Sequence, residues 1–246
     1  MSTVRINLWS GPRNVSTALM YSFAQRYDTR VVDEPLYAHY LRVSDADHPG
    51  KAEVMAAMLD DGERVIREVI LAPCDRPVLF LKQMAHHFVE ISPDFLAETV
   101  NVLLIRDPVQ MLPSLAQNLA NPILRDTGLA TQAVLYQKLR DLGQDPPVLE
   151  SKQLLLNPRR VLSQLCRQIG IGFDEAMLQW QAGARPEDGI WAKYWYHNVH
   201  QSTGFEAYRA KHDPFPPRLL RLLAECKPYY DLLAEKAIRA EDETRA

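Results

Sequence analysis

Little in this sequence serves cross-linking or membrane insertion. Three cysteines occur in 246 residues: Cys74, Cys166 and Cys226. They are odd in number, far apart, and show no C-x-x-C or Cys/His finger spacing. Neither a disulfide framework nor a structural zinc site is therefore expected. Scattered cysteines fit a reducing compartment, so the expected location is the cytoplasm. No apolar run approaches the ~18 residues of a membrane span. The apolar stretch near the start, before Ser10-Gly11-Pro12-Arg13, is too short for a signal peptide and runs straight into a loop motif. An excess of basic charge is also missing: 28 Lys and Arg stand against 31 Asp and Glu, a net charge of −3. No bulk footprint for nucleic acid or an anionic membrane follows from that balance, although a local patch can hide in the average. With 47% apolar residues and only 10 glycines, disorder and collagen are excluded as well.

What is present is an alternation of strand-like and helix-like patterns. Val4–Trp9, Arg30–Val32, Val78–Leu81, Val100–Ile105 and Val148–Leu149 read as strands. Helical spacing covers Ser16 to Arg26, about Val109 to Leu119, Thr131 to Leu142, and the stretch from Asn157-Pro158 to Gly170. Between Lys51 and Leu71 the apolar residues form one stripe, which predicts a single long amphipathic helix. Strands separated by helices predict parallel crossover units, hence an α/β fold with a mainly parallel sheet and helices on both faces. Residues 1–240 are read as one domain. Within it, 186–240 form an aromatic-rich flap and C-terminal helices, and 241–246 a frayed charged tail. Ligands of such sheets bind beyond the carboxyl ends of the strands, so the residues after Trp9, Val32, Leu81 and Ile105 form one group of candidates.

After the first strand comes Gly11-Pro12-Arg13-Asn14-Val15-Ser16-Thr17 and then a helix. That layout suits an anion: helix-start N–H groups point outward, Ser16 and Thr17 add hydroxyls, and Arg13 adds a forked cation. The alternative is a Gly11-Pro12 turn with Ser16 merely capping the helix. Compared with G-x-x-x-x-G-K-[ST], the nucleotide-binding lysine and its magnesium hydroxyl are absent, which disfavours a magnesium-dependent nucleotidase. A second anion-compatible loop, Arg106-Asp107-Pro108 with Ser114 eight residues on from Arg106, ends the fourth strand.

Together the two loops resemble the sulfotransferase family that uses 3′-phosphoadenosine 5′-phosphosulfate. Its R-D-P-x-x-x-x-x-S segment is matched in full by Arg106 through Ser114. Its phosphosulfate loop is matched by Pro12 through Thr17, with Arg13 at the family's Lys/Arg position. Val15 stands in place of a glycine, and a β-branched residue is the least tolerant of positive φ. The likeness extends from about Val4 to Phe173. The stretches SGPRNVSTALMYSF, EPLYAHY and WYHNVHQSTGF are similar to an uncharacterised bacterial-type branch, some of whose members carry aminotransferase names. No lysine here sits in a recognisable pyridoxal-phosphate context. The resemblance implies a P-loop NTPase-like three-layer sandwich and sulfuryl transfer to a hydroxyl or amine of a small molecule. It implies no metal, nucleic acid or membrane partner, and a homodimer is left open.

It also directs attention to a base. Glu34 follows the second strand beside Pro35, where desolvation can raise a carboxylate toward neutrality. Its alternative role is that of a surface turn residue. His86, just past Lys82, is out of register with the family's Lys-Thr-His triplet, which here reads Lys82-Gln83-Met84. Glu34 is ranked narrowly above it. Lys82 either shares the electrostatic task of Arg13 or is a strand-end lysine facing water. His86 and His87 are otherwise an exposed helix start. His200, Ser202, Thr203 and Gly204 are candidates for the family's late loop over the 3′-phosphate; the alternative is an aromatic flap closing the core. Two other functions compete: a small-molecule kinase, and a non-catalytic P-loop domain that binds a nucleotide or partner.

Overall fold

The computed structural model describes residues 3–44, 46–210 and 213–241. The five apolar runs become β1 (Val4–Ser10), β2 (Thr29–Asp33), β3 (Val78–Met84), β4 (Val100–Ile105) and β5 (Val148–Glu150). They pair in the order β2-β3-β1-β4-β5, and every pair is parallel. Trp9 lies level with Gln83 and Leu103, and Val32 with Leu81, so the strand ends gather at one edge. The chain leaves β1 toward β2 and leaves β4 toward β5, in opposite directions. Between the carboxyl ends of β1 and β4 lies the switch point where such sheets open a crevice.

Both faces of the sheet are covered, which is why the strands read as nearly continuous apolar runs. Ile6, Leu8, Phe80, Val102 and Leu104 face one way, onto Leu19, Met20 and Phe23 of the Ser16–Ala24 helix and Val161, Leu162 and Leu165 of the Pro158–Gln168 helix. Trp9, Leu79, Leu81, Leu103 and Ile105 face the other way, onto Ile66, Ile70, Leu112, Leu135, Leu139 and Leu222. A third cluster, with Tyr37, Tyr40, Leu41, Val54, Trp191 and Tyr196, sits apart from these two.

The single long helix expected over Lys51–Leu71 is not formed. Helix Lys51–Ala57 ends, and a new one starts at Gly62–Val65 and passes into a wider turn at Ile66–Ile70. Asp61 supplies the reason: its side chain accepts the Arg64 N–H at 2.8 Å, a helix start placed in the middle of the stripe. After the Leu220–Ala234 helix the chain returns to the sheet, where Ala237 bridges Val148 in parallel and covers the β5 edge. Ala240 is buried, and its N–H donates to Gln153 at 2.9 Å. Of the tail expected to fray, residues 242–246 lie outside the described residues.

Candidate active site

The loop after β1 is shaped by its own side chains. Asn14 Oδ1 accepts the Ser16 N–H at 2.9 Å, and Asn14 Nδ2 donates to the Leu104 carbonyl at 3.3 Å, which ties the loop to β4. Ser16 is the first residue of the helix, and Asn14, not the Ser16 hydroxyl, satisfies a free N–H at the helix start. Positive φ falls on Arg13, at 54°, while Val15 sits at −96°. The missing glycine thus carries no conformational penalty at position 15. Gly11 is required for a different reason: a Cβ there would lie 2.7 Å from the Thr127 carbonyl oxygen.

The second loop meets the first. Arg13 Nε donates to Ser114 Oγ at 3.0 Å, and Arg106 donates to the Arg13 carbonyl. Burial lowers the pKa of both guanidiniums, and that of Arg106 is lowered further by the charge of Arg13. Two half-buried cations side by side, satisfied by neutral oxygens, favour an anion between them. Gly11 to Thr17, Arg106 and Ser114 all line one cavity of about 540 Å³.

Glu34 and Lys82 line the same cavity. Neither is the surface residue that its alternative reading required: Lys82 is 1% exposed and Glu34 7%. Lys82 Nζ donates to Asp33 Oδ1 at 2.9 Å, to Tyr196 Oη at 2.7 Å, and to Glu34 Oε1. Its three N–H bonds are thereby used, so it holds the cluster together rather than presenting a free donor to a ligand. Burial pushes the Glu34 carboxyl up, against the pull of Lys82, and the nearby Asp33 charge pushes it further. The Lys82 ammonium is raised by Asp33 and Glu34 despite the opposing effect of burial. Glu34 itself has φ of 40°, so two of the site's residues adopt backbone conformations rare outside glycine.

His86 and His87 form a turn, Ala85–His87, that is packed rather than exposed. His87 stacks on Tyr37 and Tyr40, with ring centroids 4.9 and 4.7 Å away. Burial pushes the His86 imidazole down to about 3, and His87 well below its ordinary value. His86 also lines the cavity, as do Tyr37, Tyr40, Trp191 and Trp195. The late loop divides. Ser202 and Gly204 line the cavity, whereas His200 turns to Asp188, with Nε2 3.0 Å from Oδ2. The Thr203 carbonyl accepts the Trp180 N–H at 3.0 Å. Asp33 and Tyr196 were not anticipated from sequence. Among the described residues no group of three or more His, Cys, Asp or Glu could hold a metal ion, and no helix is long and apolar enough to cross a membrane.

A family model described as a sulfotransferase domain matches residues 4–237. The chain belongs to the sulfotransferase domain family. Two solved structures share the fold. The sulfotransferase domain from the curacin biosynthetic pathway has a TM-score of 0.54 at 16% identity, over 92% of this chain and 98% of that one. A sulfotransferase from Alicyclobacillus acidocaldarius has a TM-score of 0.54 at 12% identity, over 96% of each chain. Two curated relatives from Arabidopsis thaliana, branched-chain-amino-acid aminotransferase-like proteins 2 and 1, are each 37% identical over 229 residues, 93% of this chain. The matched segment spans only 41% of each relative's length. In this sulfotransferase domain the lysine on the cavity wall is Lys82, an ammonium bridged to two carboxylates, not the neutral amine that Schiff-base chemistry uses.

Proposed function

We propose that the chain moves a sulfuryl group from 3′-phosphoadenosine 5′-phosphosulfate to a hydroxyl or amine of a small-molecule acceptor. The observation that carries this reading is the contact between Arg13 and Ser114, which joins the two anion loops in one cavity that also holds Glu34. On this reading Gly11 to Thr17 cradle the 5′-phosphosulfate, and Arg106 and Ser114 take the 3′-phosphate. Ser202 and Gly204 border the nucleotide.

The acceptor's proton passes to the Glu34 carboxylate. Its oxygen or nitrogen bonds to sulfur as the sulfur–oxygen bond to the 5′-phosphate breaks, and the electron pair stays on the departing phosphate. Arg13 stabilises that charge electrostatically, since a guanidinium does not readily give up a proton. Burial supports Glu34 as the base because it raises the carboxyl toward neutrality. Burial pushes the His86 imidazole down, which disfavours it as the base.

A thermal-shift panel tests the assignment. Adenosine 3′,5′-bisphosphate is expected to raise Tm, by the equivalent of about 2.7 kcal/mol at a hundred times its Kd. ATP with magnesium is expected to do less. A larger shift with magnesium ATP supports the kinase alternative instead.

A further inference from the structure

The carboxylate of Asp33 makes more contacts in this site than any role so far requires. Oδ1 accepts from Lys82 Nζ at 2.9 Å. Oδ2 accepts the Tyr196 hydroxyl at 2.7 Å and the Gly189 N–H at 3.1 Å. The Tyr196 hydroxyl also accepts from Trp191 Nε1 at 3.1 Å. One acid at the end of β2 thus fastens the β3 lysine and a segment more than 150 residues away in the chain. Gly189 lets the Trp191 ring pack against its backbone, because a Cβ there would lie 2.1 Å from that ring.

The geometry points to Asp33 as the positioning residue of the site: it holds Lys82 and Tyr196 so that Glu34 is aimed at the cavity, and it pins residues 189–196 beside them. This rests on the reading of Glu34 as the base. Asp33 does not line the cavity, whereas Glu34, Lys82 and Tyr196 do, so it acts through them. The groups acting on Glu34 are Lys82 from β3, Asp33 from β2 and Tyr196 from the pinned segment, with the Tyr37 phenol also coupled to it.

Wild-type protein and Asp33→Asn are compared by amide hydrogen exchange, by titration with adenosine 3′,5′-bisphosphate, and by the pH profile of sulfate release from 3′-phosphoadenosine 5′-phosphosulfate in water. Exchange over residues 189–196 is expected to quicken by about tenfold or more. Nucleotide affinity is expected to stay within about twofold, while turnover falls by about tenfold or more. The acid limb of the profile is expected to move to lower pH, because the charge that raises Glu34 is gone. Unchanged exchange and an unmoved limb, with nucleotide still bound, overturn the proposal and leave the donor reading standing. Failure of wild-type protein to bind the nucleotide overturns the donor reading, and the exchange comparison still judges the pin. If Asp33→Asn does not fold, Tyr196→Phe carries the test. Faster exchange over residues 189–196 is again expected, because the bond from the Tyr196 hydroxyl to Asp33 Oδ2 is lost; unchanged exchange overturns the proposal.

Discussion

At the scale of single residues, Glu34 is the proposed base. It is buried, bonded to Lys82, and held at positive φ with its N–H on the Lys82 carbonyl at 2.8 Å. Glu34→Gln keeps size and hydrogen bonding but cannot take a proton. Initial rates with 3′-phosphoadenosine 5′-phosphosulfate are expected to fall by about 10²–10⁴, with nucleotide affinity nearly unchanged. His86→Asn is expected to retain most of the rate. The reverse pattern assigns the base to His86. Glu34, Lys82 and His86 are visible in the sequence through their places after strands, but Asp33 and Tyr196 are not. Their bonds join elements far apart in the chain, and no local spacing encodes such a meeting.

Among the elements, the loop after β1 shows how packing decides what local preference leaves open. Val15 reads as an obstacle because glycine is expected there, yet the strained backbone belongs to Arg13, one residue before Asn14 fastens the turn. Gly11→Ala tests the other half of that loop. Its Cβ would press on the backbone carbonyl of Thr127, 2.7 Å away, which cannot swing aside as a side chain would. A loss of about 1–3 kcal/mol is expected, seen as a drop in Tm of about 2–4 °C per kcal/mol for a chain of this size, together with weaker nucleotide binding. An unchanged Tm shows that the Thr127 segment yields freely. The five strands were legible because burial on both faces leaves long apolar runs. The break in the 51–71 helix was not, because the apolar stripe continues through it and only the Asp61 side chain marks the new start.

Across the whole molecule, the parallel order β2-β3-β1-β4-β5 brings two loops some 90 residues apart to one crevice. The proposed donor site, with separate contacts for two phosphates of one nucleotide, depends on that convergence. Calorimetric titration of Ser114→Ala against wild-type protein tests it most directly, with adenosine 3′,5′-bisphosphate and adenosine 5′-monophosphate as the two ligands. The variant is expected to lose affinity for the bisphosphate by about 1.5–3 kcal/mol, the worth of a charge-assisted hydrogen bond, while its affinity for the monophosphate stays near the wild-type value. Equal losses for both nucleotides, or none for either, contradict the assignment of this loop to the 3′-phosphate.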